Sequence, residues 1–292
     1  MKKIIIGSRG SDLALWQANF VKDELLKLGQ EVEIKVISTQ GDRIQHLSFD
    51  KMEGKGFFTK EIEESLLNES IDLAVHSHKD LETSSPKGLV IAAVPNRANP
   101  ADVLIIRRES ADPSLKFGLK KNAVVGTSSA RRRSQIIALR PDISTKDLRG
   151  NVPTRIRKLV DDNYDAILLA KAGIDRLEID LSEFKVTVMD PTEFVPAPAQ
   201  GALALQVRAS DRTLIEQLEP LNRSDTKKRI DLERKILNLL DGGCQLPLGA
   251  YCTTNNELHV SFSGDVDQDR IYKKYEVEDF DALAHKVVSE LI

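Results

Sequence analysis

The chain has 292 residues, of which 41% are hydrophobic and 30% are charged, as in an ordinary globular protein. Its 42 Lys and Arg residues against 45 Asp and Glu residues give a net charge of −3, which argues against a nucleic-acid partner. A chain of this length is expected to form two or three folded domains. No apolar run reaches membrane-spanning length, so we expect no membrane partner.

The cysteines and the N-terminal residues indicate the cellular compartment. Cys244 and Cys252 are too few for a disulfide framework, and the sequence contains no CxxC pair that would indicate zinc. The opening MKKIIIGSRGSD is too poor in apolar residues to be the core of a signal peptide. We therefore expect a cytoplasmic protein.

Taken in order, the first two thirds of the chain alternate strands with helices. Apolar runs predict strands at 3–6, 31–38, 71–75, 88–94, 123–126, 164–170 and 201–207. Helical spacing predicts helices at about 12–28 and 59–68. Thr127-Ser128-Ser129 supply cap residues for a helix that ends near Pro141, and a further helix opens at 151 with Pro153 in its first turn. Proline-rich stretches at 95–100 and 191–201 indicate two crossings between domains. This pattern is typical of two α/β lobes.

The last third has a different pattern. An amphipathic helix is predicted at about 225–240, strands at 250–254, 257–262 and 271–277, and a final helix at about 280–291. The turn Asn255-Asn256 indicates a hairpin. We expect a small α+β domain.

Positive charge concentrates between residues 126 and 158, where GTSSARRR places hydroxyls and arginines at a helix start. Free backbone N–H groups, hydroxyls and guanidiniums at one helix start are typical of an anion site. The same combination recurs at Arg9 with Ser11 and at Arg149 with Arg155. The alternative is a solvated basic face. Since no aromatic residue lies between 118 and 163 to stack on bases, a ligand with several carboxylates or phosphates is favoured over nucleic acid.

The motif His76-Ser77-His78-Lys79-Asp80 follows a predicted strand, at the end where ligands bind in open α/β sheets. Neighbouring cations favour the ionised form of Asp80, which suits stabilisation of a developing positive charge. The alternative is a strand-end residue paired with a cation. A metal pair of His76 and His78 is disfavoured, because no third ligand lies nearby in the sequence.

Two further segments leave alternatives open. The loop Gly54-Lys55-Gly56-Phe57-Phe58 suits a mobile lid or a plain surface loop. Cys244 follows two glycines after a predicted helix, which suits an exposed reactive thiol, although a lone cysteine is also a common buried apolar residue.

The chain closely resembles the hydroxymethylbilane synthases, also called porphobilinogen deaminases. The matching blocks run nearly end to end: GSRGSDLALWQ, TQGD, GKGFFTKE, AVHSHKD, GTSSARRR, LRGNVPTR, PAPAQGA and DGGCQLPLGAY. The resemblance implies two lobes like those of type 2 periplasmic binding proteins and a C-terminal α+β domain. The implied boundaries are 1–98 with 196–213, 99–195, and 214–292.

The family condenses four porphobilinogen molecules into hydroxymethylbilane, with loss of ammonia at each step. It works on a dipyrromethane cofactor held by a thioether to the cysteine of GGCQ, here Cys244. By the same resemblance Asp80 assists ammonia loss and stabilises the cationic intermediate, and Lys55 and Phe58 lie on a lid. The residues that align with those holding carboxylates are Arg9, Ser11, Lys79, Ser129, Arg131, Arg132, Arg149, Arg155 and Arg176. A monomer is implied as well.

The sequence departs from the family pattern at Ala130, at His78 and in the segment 81–86, where a usual proline is missing. None of these changes removes a charged or reactive group, so they bear on loop geometry and rate rather than on activity. The main alternative function is a non-catalytic binding module for a polycarboxylate.

Overall fold

The computed structural model describes residues 3–40, 59–161, 164–241, 245–266 and 269–292. The chain divides into two compact units. One comprises Met1–Ala98 with Ala202–Lys228, and the other comprises Asn99–Gly201 with Arg229–Ile292. Within the described ranges, no helix has the length and apolar character needed to cross a membrane.

The first unit is built on a five-stranded sheet in the order β2-β1-β3-β10-β4, in which β1, β2 and β3 are parallel and β10 is antiparallel to both of its neighbours. Its strands are β1 (Ile4–Ser8), β2 (Val32–Val36), β3 (Leu73–Ser77), β4 (Leu89–Ala93) and β10 (Leu203–Arg208). Its helices are α1 (Asp12–Lys27), α2 (Lys60–Leu67) and α6 (Arg212–Leu218).

Alternating side chains of β1 bury both faces of this sheet. Ile4 and Ile6 join a core with α1 and α6, whereas Ile5 packs on the other side with Ile62 and Leu66 of α2. The sheet is therefore covered by helices on both faces, as a largely parallel sheet requires.

The second unit contains a sheet of the same kind, in the order β7-β6-β8-β5-β9. Here β6, β7 and β8 are parallel, and β5 is antiparallel to β8 and β9. The strands are β5 (Asp102–Ile106), β6 (Val124–Gly126), β7 (Ser144–Lys146), β8 (Ala166–Ala170) and β9 (Lys185–Val188). The helices are α3 (Ala130–Leu139), α4 (Val152–Asp161) and α5 (Lys171–Arg176).

The second unit also holds a smaller sheet of β11 (Leu248–Cys252), β12 (Glu257–Phe262) and β13 (Ile271–Glu276), all antiparallel. Side chains of α7 (Ser224–Leu239) and α8 (Phe280–Ser289) form one core with it. The prediction of two lobes with one architecture and a small C-terminal α+β domain is confirmed. The boundaries given above for three domains stay a prediction.

Two predicted strands are displaced by two residues. β3 ends at Ser77 rather than residue 75, and His78–Asp80 form a short 3₁₀ turn after it. β11 begins at Leu248 rather than residue 250, because its backbone pairs with Phe262 of β12 from that point. Apolar pattern alone does not fix where such a ladder starts.

Candidate functional site

In the first unit, four predicted site residues follow the carboxyl ends of two neighbouring strands. β1 and β3 are parallel, with Ile6 opposite Leu73. Parallel strands end at the same edge of a sheet. The site residues at this edge are Arg9 and Ser11 after β1, and Lys79 and Asp80 after β3.

Local hydrogen bonds fix this edge. Ser11 is the N-cap of α1, and its side chain accepts from Ala14 N at 3.4 Å. The side chains of Gln17 and Ser77 bond at 2.8 Å, which ties α1 to the end of β3. His78 N donates to Ala202 O at 3.0 Å. The turn buries His78 and leaves Asp80 exposed, so the carboxylate faces solvent.

In the second unit, the remaining described site residues follow three neighbouring parallel strands. β7 leads to α4, β6 leads to α3, and β8 leads to α5. Arg149 and Arg155 flank the start of α4, and Ser129, Arg131 and Arg132 lie at the start of α3. Arg176 is the last residue of α5. The topology therefore collects all of them at one edge of the sheet.

A buried carboxylate organises the start of α3. Asp102, the first residue of β5, has no exposed surface and lies opposite Ala170, the end of β8. Arg131 Nη1 donates to its Oδ2 at 2.7 Å, and Arg132 donates to its Oδ1 from Nε and Nη2. Burial opposes ionisation of Asp102, but the two guanidiniums outweigh it and hold its pKa well below the ordinary value.

The alternative of a solvated basic face is therefore wrong for Arg131 and Arg132, which are 4% and 6% exposed. Arg131 also donates to Val195 O at 2.9 Å, and Arg132 donates to Leu168 O at 3.1 Å. Arg131 Nε is buried without a hydrogen-bond partner among the described groups. A buried donor without an acceptor at this edge fits a ligand carboxylate.

The third anion site is predicted at the start of α4. Asn151 Oδ1 accepts from Thr154 N at 2.9 Å, and Arg155 Nε donates to Gly150 O at 2.7 Å. Gly150 has φ +116°, and a Cβ there would lie 2.6 Å from Thr154 Cγ2. Only glycine adopts this backbone without strain, so Gly150 is required for the turn that presents Arg149.

Other cations of the basic stretch form ion pairs. Arg133 pairs with Asp147 at 2.6 Å, and Arg140 pairs with Asp142 at 2.7 Å.

Arg176 is 9% exposed and donates to Gly201 O at 2.8 Å. Burial lowers the pKa of Arg176 to about 10, which leaves it cationic at neutral pH.

Three predicted site residues, Lys55, Phe58 and Cys244, lie outside the described residues.

Cys252 is 2% exposed in β11. His76 is buried, and its Nε2 lies 3.1 Å from Gln206 Oε1 rather than facing a metal site. In the described ranges, no group of at least three His, Cys, Asp or Glu side chains is arranged for a metal.

Sequence reasoning missed the buried groups that support these sites. Asp102 is an isolated acid between apolar residues, Gln200 donates to its Oδ1 at 3.0 Å, and Glu233 accepts from two backbone N–H groups. An acidic residue at the start of an otherwise apolar strand is a usable signal, since an acid buried there requires a cationic partner.

The comparisons with known proteins match two family models. Residues 4–216 match "Porphobilinogen deaminase, dipyromethane cofactor binding domain", and residues 227–291 match "Porphobilinogen deaminase, C-terminal domain". Proteins named porphobilinogen deaminase from Bacillus thuringiensis (strain Al Hakam), Bacillus cereus (strain AH187) and Bacillus anthracis (strain A0248) are each 45% identical over 260 residues. Each alignment covers 88% of this chain and 82% of the relative.

Solved structures give weaker matches. An ancestral cationic amino acid solute binding protein is 14% identical with a TM-score of 0.46, over 80% of this chain and 94% of the other. An arginine-specific periplasmic binding protein of Salmonella typhimurium is 10% identical with a TM-score of 0.39, over 82% of this chain and 94% of the other. The family models and the relatives decide the assignment: the chain belongs to the porphobilinogen deaminase family.

Proposed function

We propose that this chain is a hydroxymethylbilane synthase, a transferase that joins four porphobilinogen molecules head to tail and releases ammonia at each condensation. The observation that supports this most is the family match over 4–216 and 227–291. The cationic edges of both lobes support it too, because each porphobilinogen brings two carboxylates for arginine and lysine to bind.

Asp80, Lys79 and Arg9 are the proposed catalytic residues. In each condensation the bond between the aminomethyl carbon and its nitrogen breaks, and the nitrogen leaves as ammonia. A C–C bond then forms to the acceptor pyrrole, which loses a proton. The exposed carboxylate of Asp80 stabilises the positive charge that develops on the substrate as ammonia leaves. Lys79 and Arg9, at the same edge, hold its carboxylates.

Cys244 is the proposed attachment point of the dipyrromethane cofactor, through a thioether. When bound, the cofactor supplies the acceptor pyrrole for the first condensation. The side chains proposed to hold it are Ser129, Arg131, Arg132, Arg149, Arg155, Lys79, Asp80 and Lys55. Arg131 Nε is a donor that a cofactor carboxylate would satisfy.

The residues proposed to bind substrate and the growing chain are Arg9, Ser11, Phe58, Arg149, Arg155 and Arg176. The two arginines around α4 serve both groups, since their turn presents guanidiniums at a helix start. We place the protein in the cytoplasm as a monomer, without a nucleic-acid or membrane partner.

The test is to incubate the purified chain with porphobilinogen and to measure ammonia and hydroxymethylbilane together. We expect four ammonia molecules for each tetrapyrrole released. Reversible binding of porphobilinogen without ammonia would contradict the proposal and would favour a polycarboxylate-binding module. Sedimentation of the same sample tests the monomer.

A further inference from the structure

A fully buried carboxylate outside the proposed site joins several parts of the second unit. Glu233 lies on α7 and has no exposed surface. Its Oε2 accepts from Ala199 N at 2.8 Å, and its Oε1 accepts from Cys252 N at 2.9 Å. Burying a carboxylate is costly unless such bonds compensate it, so these two bonds hold Glu233 in place.

The bond from Cys252 N links the two elements on either side of Cys244. Residues 240–247 connect α7 to β11, and Cys244 lies within them. Glu233 stands on the helix before this loop and Cys252 on the strand after it. The bond from Cys252 N to Glu233 Oε1 therefore joins α7 to the far end of β11, and these two elements are the stems that flank Cys244.

The bond from Ala199 N to Glu233 Oε2 ties α7 to the crossing at 195–200. β11 is the edge strand of its sheet, and its free backbone edge faces this crossing. Ala250 N donates to Pro196 O at 3.0 Å. A Cβ on Gly249 would lie 2.5 Å from Val195 O, so glycine is required for this close approach. The strand after the loop is thus docked directly on the crossing.

From the crossing, hydrogen bonds continue to the arginine pair. Gln200 follows Ala199, and its Nε2 donates to Asp102 Oδ1 at 3.0 Å and to Pro100 O at 2.7 Å. Asp102 in turn accepts from Arg131 and Arg132. A continuous path therefore runs from the loop stems through Glu233, Ala199, Gln200 and Asp102 to guanidiniums proposed to hold cofactor carboxylates.

We propose that Glu233 is a positioning residue for cofactor attachment, which sets the stems of the Cys244 loop relative to Arg131 and Arg132. The proposal rests on the function given above. In attachment the bond between a porphobilinogen aminomethyl carbon and its nitrogen breaks, a C–S bond forms to Cys244, and the nitrogen leaves as ammonia with the thiol proton. The thiol must meet a ligand whose carboxylates are held elsewhere, and misplacement by about 1 Å costs on the order of a hundredfold in rate. Glu233→Gln retains one acceptor and turns an N–H donor toward a backbone N–H, so it disturbs this geometry with little change in volume.

The experiment follows thioether formation by intact mass after porphobilinogen is added to cofactor-free chain. We expect Glu233→Gln to form it at least about tenfold more slowly than the unmodified sequence. The control is Leu283→Ala, which removes buried contacts of α8 in the same unit. Both variants are assayed well below their melting temperatures, and we expect the control to load within about twofold of the unmodified sequence.

Gln200→Leu is the second variant, since it cuts the path to Asp102 and leaves the bonds of Glu233 in place. It should also load slowly, and it decides the proposal if Glu233→Gln does not fold. Loading of the folded variants at the control rate would overturn the positioning role alone. Failure of the unmodified sequence to load would instead contradict the proposed function.

Discussion

Arg132 donates hydrogen bonds from both Nε and Nη2 to one oxygen of Asp102, Oδ1, at 3.0 and 2.7 Å. Arg131 occupies the other oxygen at 2.7 Å. One buried carboxylate therefore orients two neighbouring guanidiniums at the start of α3. Because it has no exposed surface, this group anchors a charged helix start within an apolar sheet.

Asp102→Asn should strongly destabilise the protein. Removing one partner of a buried ion pair leaves uncompensated charge and typically costs about 3–5 kcal/mol in the free energy of unfolding. Urea denaturation measures this loss. Glu33→Gln, which breaks an exposed pair with Lys3, is the control and should change stability little. Equal midpoints for the two variants would contradict the role of Asp102.

Acid should remove the contribution of Asp102 to the free energy of unfolding. Its folded pKa lies below the ordinary value of 3.8, so its stabilising contribution is present above that pH and is lost as pH falls through the folded pKa. The difference in unfolding free energy between the unmodified sequence and Asp102→Asn should therefore shrink below about pH 4. A difference that stays constant there would mean that Asp102 is not ionised.

His76 should make stability rise with pH between about 4 and 6.5. Burial lowers its pKa from 6.5 to about 4, although the bond to Gln206 opposes the shift. The unfolded chain therefore binds the extra proton in this window. The contribution is about 3 kcal/mol across the window. His76→Asn should lose this slope, and the exposed His285→Asn should keep it.

Glu63 affects the pH dependence of the free energy of unfolding with the opposite sign to His76, so it must be the same in the two histidine variants. Burial raises the pKa of Glu63, whose Oε1 accepts from Gln206 Nε2 at 2.9 Å. Its favourable contribution is lost as pH rises through the raised pKa. Because Glu63 is present in both variants, its effect cancels in the difference. Identical slopes in the two variants would show that His76 is charged in the fold.

Asp80→Asn should leave cofactor attachment intact and lower turnover by on the order of a hundredfold or more, since the amide cannot offset a developing positive charge. Steady-state release of hydroxymethylbilane measures turnover, and intact mass measures attachment. Glu82→Gln, two residues along the chain, is the control and should retain activity. Normal turnover by Asp80→Asn would remove Asp80 from the mechanism.

Local patterns predicted the elements that carry the site. Ser129 was predicted within the cap of α3, and it accepts from Arg132 N. Pro153 was predicted in the first turn of α4, where its missing N–H costs nothing. Such features depend on neighbours within a few residues, so the sequence displays them directly.

Long-range partners were not predictable in the same way. Asp102 meets Arg131 and Gln200 across 29 and 98 positions of sequence. The sequence pattern makes Glu233 look like an exposed charge on an amphipathic helix. In the structure its carboxylate is buried and accepts from Ala199 N and Cys252 N. A single sequence does not show which distant backbone groups a buried side chain will meet.

Whether Cys244 carries the cofactor is tested by the intact mass of the purified, unreduced chain, with peptide mapping across residues 241–249. We expect an added mass equal to a dipyrromethane on the peptide that contains Cys244, and no addition in Cys244→Ser. An unmodified chain should gain that mass when porphobilinogen is supplied. An active enzyme with unmodified Cys244, or with the dipyrromethane on Cys252, would show that Cys244 is not the attachment point.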